Sequence, residues 1–192
     1  MTVAGQAQTA PLEVRLDPRV SVSPADLEQQ FAFLRKDQDE LNRVYDSVNQ
    51  IEDVRAQLAG MKARLPVDGS ARSITESAEA LDKQLVELRK QFINLDISAN
   101  EDSLAYPPQL DAKLAYLAVA ASSADSAPTA AEQAELEKLE QQGQTLLSRW
   151  SDLQSRQLAD FQKAVAAKGL SSILVPPPGQ VTAGTSRAAE LE

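Results

Sequence analysis

The chain has 192 residues and a formal net charge of −9 at pH 7, from 19 Lys+Arg against 28 Asp+Glu. It contains no cysteine and no histidine. Disulfide scaffolds are therefore excluded, and so are nucleophilic sites that use a thiolate or an imidazole. Zinc, haem and copper sites rely mostly on those two residue types, so we expect no metal and no cofactor. The acidic balance also argues against a nucleic-acid partner.

The compartment is not marked by the chain itself. No stretch approaches the roughly 20 apolar residues of a membrane span, so we expect no membrane insertion. Residues 1–6 lack both the basic start and the apolar run of a signal peptide. Taken alone, this predicts a cytoplasmic protein. That interpretation changes if the chain is a piece of a longer one, as residues 1–20 indicate.

Residues 1–20 follow a different pattern from the rest of the chain. Leu12, Val14 and Leu16 alternate with charged residues, and a period of two predicts a strand with one buried face. Upstream, Val3 to Gln6 has the composition of a turn that leaves an earlier strand. A single strand or hairpin is not stable alone in water. We therefore interpret residues 1–20 as the terminal strand or strands of a truncated β-sandwich domain.

The first predicted helix begins at Ser23-Pro24-Ala25-Asp26, which combines a capping serine, a proline at the first helical position and an acid in the first turn. Apolar residues then recur at steps of mostly three or four, and Pro66 and Gly69 end the run. The predicted buried stripe is Leu27, Phe31, Leu34, Leu41, Val44, Val48, Ile51, Val54, Leu58, Met61 and Leu65.

Two shorter helices follow. The second begins near Ser73, where Ser73-Ile74-Thr75-Glu76 has the form of a capping box. Its heptad seam favours side-by-side packing at a shallow angle and comprises Ile74, Ala78, Leu81, Leu85, Leu88, Phe92 and Leu95. Pro107-Pro108 begins the third helix. Its apolar stripe is Leu110, Leu114, Leu117 and Ala121.

The fourth helix opens at a second capping box, Thr129 to Glu132, and ends at Gly169. Its stripe is Leu136, Leu139, Gly143, Leu146, Trp150, Leu153, Gln157, Phe161 and Ala164. Gly143 lowers helix propensity by about 1 kcal/mol relative to alanine. A close approach of a neighbouring helix would justify a glycine there, and simple tolerance is the alternative.

The predicted fold class is all-α, an elongated antiparallel bundle over residues 21–175. The long first and fourth helices need partners along their whole length, which the second and third helices supply together. The bundle then has either three long rods, the middle one broken, or four helices. Ile173-Leu174-Val175 is predicted to be a strap docked on the bundle, and residues 176–192 a disordered tail.

Carboxylates are the only catalytic groups present in number. They cluster on helix one at Asp37, Asp39 and Glu40, and on helix four at Glu132, Glu135, Glu137 and Glu140. A hydrolase can use such a pair. However, acids interleaved with Lys and Arg on a long helix are typical of a solvated face, and a catalytic pair needs a concave pocket. We therefore predict no catalytic residue and no enzyme activity for this chain.

Three aromatic residues are the candidates for an interaction surface. Phe33 lies off the main stripe of helix one, so we expect it to contact the preceding β-domain or a partner, with core packing as the default. Tyr45 lies on another face of that helix. Trp150 lies on the helix-four seam, which predicts a core residue, whereas stacking on a sugar is the alternative.

Several segments resemble a known family. They are PLEVRLDPRV at 11–20, SPADLEQQF at 23–31, YPPQLDAKL at 106–114, SADSAPT at 123–129 and LADFQ at 158–162, which leads into Gly169-Leu170. Together they are similar to the C-terminal region of bacterial exported proteins built on BNR-repeat, sortilin-like β-propellers, often described as glycosyl-hydrolase-like. There, a small β-sandwich, whose last strand reads like residues 11–17, and a helical region follow the propeller. The propeller and its Asp-box repeats are absent here, so no sugar-cleaving residue transfers.

The resemblance implies a periplasmic or extracellular parent protein. Within it, this chain is a non-catalytic helical accessory or interaction module whose partner is the upstream β-domain. One alternative is a self-associating, coiled-coil-like domain that forms a homodimer through extra apolar surface on helix one. A more distant one is a glycan-binding unit that uses surface carboxylates and Trp150.

Overall fold

The computed structural model describes residues 2–3, 6–7, 9–66, 69–95, 97 and 105–179. Most of them are helical, which confirms the predicted all-α bundle. The helices are α1 (Pro24–Lys62), α2 (Arg72–Phe92), α3 (Leu110–Ala121), α4 (Ala130–Asp152) and α5 (Ala159–Ala166). A π-helical segment, Leu153–Leu158, connects α4 directly to α5.

The helices form three long rods, of which the middle one is broken. The first rod is α1, whose 39 residues span roughly 58 Å at about 1.5 Å per residue. Near its C-terminal end, Lys62 Nζ lies 2.8 Å from Glu79 Oε1 of α2, and near its N-terminal end Gln30 Nε2 donates to Ala121 O of α3 at 2.7 Å. Helices α2 and α3 therefore run one after the other along α1, and both also pack against the α4–α5 rod.

Of the two predicted capping boxes, the one at Thr129 forms, and the predicted cap at Ser23 forms a capping box as well. At Ser23 the hydroxyl accepts from the Asp26 amide at 3.1 Å, and Thr129 and Glu132 bond reciprocally in the same way. The capping box predicted at Ser73 is wrong. Helix α2 begins one residue earlier, with Ala71 at the cap position and no side-chain bond. The buried Ala71 accepts from the Ile74 amide, so Ser73 lies inside the first turn.

The predicted seams of α2 and α3 are buried through Phe92 and Ala121, whereas Leu95, beyond the end of α2, is exposed. In the N-terminal part of the α1 stripe, Leu34 and Leu41 are half-buried against the core as predicted, whereas the stripe is wrong at Phe31. Phe31 is 66% exposed, and Phe33 is buried in the core at 7%. Between Val44 and Phe33, the packed face of α1 is formed by the buried acids Glu40 and Asp37. A search for apolar spacing therefore does not find this part of the face.

The π-helical segment moves two positions of the buried seam in the last rod by one residue. The predicted stripe holds as far as Leu153 and again at Phe161, but Leu158 is buried in place of Gln157, and Val165 in place of Ala164. A π turn takes in one more residue than an α turn, so the five-residue step from Leu153 to Leu158 keeps both side chains facing the core. Gly169, at φ +70°, ends the rod as predicted.

The strand predicted at Leu12 to Leu16 does not form. Residues 9–20 have no strand, and Leu12 and Val14 are each 87% exposed. The short antiparallel pairing that is present joins Thr2–Val3 to Gln6–Ala7. An extended segment becomes a strand only beside a hydrogen-bonding neighbour, and no described residue pairs with this one.

The strap is docked as predicted and continues past the predicted boundary at Val175. Ile173 is 2% exposed, and Gln57 of α1 bonds both the amide and the carbonyl of Leu174. Beyond Val175, Gln50 Nε2 donates to Pro176 O at 2.8 Å, and the Gly179 amide donates to Asp46 Oδ1 at 3.0 Å. Residues 176–179 are thus held on α1, which corrects the predicted tail there, and residues 180–192 of that tail lie outside the described residues.

Candidate functional site

Two carboxylates lie inside the packed seam of α1. Asp37 is 1% exposed and Glu40 is 3% exposed, whereas Asp39 between them is exposed. The predicted solvated face is therefore confirmed for Asp39 and wrong for the other two. A three-residue step places both acids on the same side of the helix, between the core residues Phe33 and Val44.

The backbone of α4 approaches this pair closely at Gly143. A Cβ on Gly143 would clash with Glu40 Oε1, and it would lie 3.2 Å from Glu40 Cδ and 3.6 Å from Leu110 Cδ2. Of the two explanations for this glycine, close approach is the one observed. The pair is consequently enclosed where α1, α3 and α4 meet.

The hydrogen bonding of the pair is incomplete. Arg43 Nη1 donates to Glu40 Oε2 at 3.0 Å, from a side chain that is 62% exposed. Asp37 Oδ1 and Glu40 Oε1 are both buried without a hydrogen-bond partner in the described part of the chain. Lys36, the nearest lysine along the helix, pairs with Glu140 of α4 at 2.7 Å. Buried polar atoms nearly always have a partner. Among the described residues Arg89 Nε of α2 is a third buried side-chain atom without one, so what distinguishes the pair is that two such oxygens of like charge lie on neighbouring turns of one helix.

Burial also changes the acidity of the pair. It raises the pKa of Asp37 to about 6, and repulsion from Glu40 acts in the same direction. Burial raises the pKa of Glu40 as well, against the opposing effect of Arg43. Loss of water disfavours the charged form of a carboxyl group, which is the larger cause in both cases. The pair can therefore hold a proton at a pH where a solvated carboxylate has lost it.

Open grooves lie between the helices in the described part of the chain. One open groove of about 390 Å³ lies between α2 and the last rod and is lined by Lys83, Gln84, Glu87, Arg149, Asp152, Leu153 and Gln157. Another of about 300 Å³ lies between the N-terminal parts of α1 and α4 and includes Phe33 and Glu137. Neither is lined by Asp37 or Glu40. Within the described residues, no group of three or more acidic side chains could hold a metal ion.

The acidic residues predicted on helix four have other roles. Glu132 belongs to the capping box with Thr129, Glu135 pairs with Lys138, and Glu140 pairs with Lys36 across the interface with α1. Glu137 is exposed at the edge of the second groove. These contacts are structural or at the surface, and none brings the helix-four acids together as a pair.

Of the three candidate aromatic residues, Phe33 and Tyr45 lie on α1 and Trp150 lies on α4. Phe33 is buried in the core, so the default packing predicted for it is observed. Trp150 is core as predicted, 4% exposed, with Nε1 donating to Gln50 Oε1 at 2.9 Å, and it is not presented as a surface for a sugar. Tyr45 is 41% exposed, and burial and the nearby Asp111 of α3 raise the pKa of its phenol. Of the three candidates, Tyr45 is the one whose side chain is exposed.

No protein-family model, curated protein or solved structure matches this chain. Among the described helices, none combines the length and the apolar character that crossing a bilayer requires.

Proposed function

We propose that this chain is a non-catalytic helical accessory module that follows the β-domain of a larger exported, glycosyl-hydrolase-like β-propeller protein. Its parent would be periplasmic or extracellular, and its partner would be the upstream β-domain. The segmental resemblance described above supports the parent, and the geometry supports the role of the module.

One observation carries the proposal, namely the exposed arm at residues 9–20. Its alternating apolar side chains Leu12 and Val14 are 87% exposed, and the arm leads directly into the capped start of α1 at Ser23. An extended segment with alternating apolar side chains fits the edge of a sheet, where main-chain hydrogen bonds and alternate pockets receive it. In the proposed role, the arm is the last strand of the neighbouring domain.

The bundle behind the arm has the properties of a spacer. Its buried seam runs along α1 from Phe33 to Met61, and the strap from Ile173 to Gly179 covers part of the same helix. Such a rod sets a distance between its two ends. Asp37 and Glu40 are buried and line neither groove described above, whereas a hydrolytic pair needs a concave pocket, and this supports a role without catalysis.

Amide hydrogen exchange tests the proposed arm. The amides of residues 12–17 should exchange within the dead time in this chain. They should be protected in a longer protein that includes the upstream reading frame of the source genome. An upstream frame without β-repeats, or one that leaves these amides unprotected, would contradict the proposal.

Activity is tested separately with the purified chain on a panel of glycosides. We expect no turnover above that of a heat-denatured sample. Turnover that Asp37→Asn or Glu40→Gln abolishes would contradict the non-catalytic role and assign it to the buried pair.

A second candidate, self-association into a homodimer, is favoured by exposed apolar residues on two helices. Phe31 of α1 is 66% exposed, and Tyr116 and Val119 of α3 are 76% and 66% exposed. Light scattering at high micromolar concentration distinguishes the candidates. A dimer that Phe31→Ser dissociates would support self-association, and a monomer would exclude it.

The third hypothesis, a glycan-binding unit, loses its aromatic platform because Trp150 is buried.

A further inference from the structure

The two halves of α1 treat buried charge differently. In the half that packs on α2, Glu52 accepts from both Arg55 at 2.9 Å and Arg89 at 3.3 Å, so the buried guanidinium of Arg89 has an opposite charge beside it. In the half that packs on α3 and α4, two acids of the same sign lie together. Arg43, mostly exposed, is the cation that bonds one of them. The second half therefore lacks the charge compensation of the first.

A proton is the partner that would complete the pair. A carboxyl group that holds a proton is a donor as well as an acceptor, whereas two ionised carboxylates only accept and repel each other. Neighbouring acids that share a proton are the usual outcome when like charges cannot both ionise. We propose that Asp37 and Glu40 share one proton when α1, α3 and α4 pack, so that acid tightens this half of the bundle and neutral pH loosens it.

The charged groups around the pair do not neutralise both acids. On α1, Arg43 and Lys36 favour ionisation of Glu40, and on α4 Glu140 opposes it. From α3, the side chain next to this contact is the apolar Leu110, while Asp111 of the same helix is coupled to Tyr45. The charged group that acts on Asp37 is Glu40, whose repulsion raises the pKa of Asp37. No cation from α3 or α4 acts on Asp37 in the described structure.

The direction of the pH effect follows from the raised pKa of Asp37 in the folded state. The pKa of Asp37 is about 6 when the bundle is folded and 3.8 as the reference value, so folding takes up a proton between these values. The stabilisation is complete below the lower value and is lost as the pH rises through the upper one. Between about pH 5 and about pH 7.5, this residue alone should raise the unfolding equilibrium constant roughly tenfold.

Urea unfolding of the full chain at these two pH values tests the proposed proton shared by Asp37 and Glu40. Asp37→Asn is neutral at both, so it should remove the roughly tenfold difference that Asp37 contributes. Asp39→Asn is the matched control, because it removes the same charge two residues away on an exposed position. Equal pH dependence in the wild-type chain and both variants would overturn the proposal.

A site-specific titration needs no variant. The NMR shift of the Asp37 carboxyl carbon in the wild-type chain should titrate with a midpoint near 6, and Glu40 should respond at the same pH because the two share the proton. A midpoint at or below the reference value of 3.8 would overturn the proposal even if Asp37→Asn failed to fold. Amide exchange in α3 should speed up as the pH passes this midpoint by more than the intrinsic pH dependence of exchange, whereas exchange in α2 should not.

Discussion

Gly143 of α4 lies against the carboxyl group of Glu40 on α1, with space for a hydrogen atom but not for a methyl group. Alanine at position 143 gains about 1 kcal/mol of helix propensity. It also forces a buried side chain, fixed on one oxygen by Arg43, out of its position. Overpacking of this kind costs about 1–3 kcal/mol, so Gly143→Ala should lower the free energy of unfolding in urea denaturation.

Gly60 is the matched control for this change, because it is also a helical glycine. A Cβ there would meet Arg64 Nη2 at 3.8 Å, which is ordinary contact distance. Gly60→Ala should therefore stabilise the chain by about 0.5–1 kcal/mol. If both variants were stabilised equally, the close approach of α4 to Glu40 would be wrong.

Truncation of Phe33 should destabilise the chain far more than truncation of Phe31, although the two residues lie only two positions apart. Phe33 is buried, and removal of a buried phenylalanine ring costs about 3–5 kcal/mol. Phe31→Ala should stay within about 0.5 kcal/mol because its ring is 66% exposed. Thermal and urea unfolding measure both values, and a large loss for Phe31→Ala would support the stripe predicted from sequence.

The two phenylalanines show where sequence patterns suffice for this fold. The order of the rods and most seam positions follow from apolar spacing, because most of the buried residues in those seams are apolar. The pattern fails at Phe33 because the seam continues through Asp37 and Glu40, whose charges hide its period. Extending the three-four step backward from Val44 would have found both acids, and with them the candidate site. The partnerless oxygens depend on three-dimensional packing, which no local pattern encodes.

The π-helical segment shows a second limit. Apolar spacing continued in steps of three and four predicts Gln157 and Ala164 in the core, whereas Leu158 and Val165 are there. The five-residue step satisfies packing along the whole rod at the expense of local hydrogen-bond geometry. The sequence does contain a signal for this shift, because an apolar residue directly follows each wrongly predicted position: Leu158 follows Gln157, and Val165 follows Ala164.

The strap should depend on one side chain. Ile173 is 2% exposed and Leu174 is 72% exposed, so they form a natural pair of variants. Ile173→Ala should lower the free energy of unfolding by about 2 kcal/mol or more and speed protease cleavage between residues 170 and 179. Leu174→Ala should leave both unchanged, because the contacts of that residue with Gln57 are through its backbone. Equal cleavage rates in both variants would show that Ile173 does not hold the strap.

Gln50 should couple the core to the strap through the two ends of its amide. Its oxygen accepts from Trp150 Nε1 at 2.9 Å, and its nitrogen donates to Pro176 O at 2.8 Å. Gln50→Ala leaves both groups without a partner, at a cost of about 1–3 kcal/mol. Trp150 is the sole tryptophan of the chain, so its emission reports the change directly and should shift to the red as water reaches the indole. The exposed Gln38, which bonds Asn42 one turn away, supplies the control variant Gln38→Ala. If Gln50→Ala changed the emission of Trp150 but not the cleavage rate of the strap, the two bonds would be independent and the proposed coupling would fail.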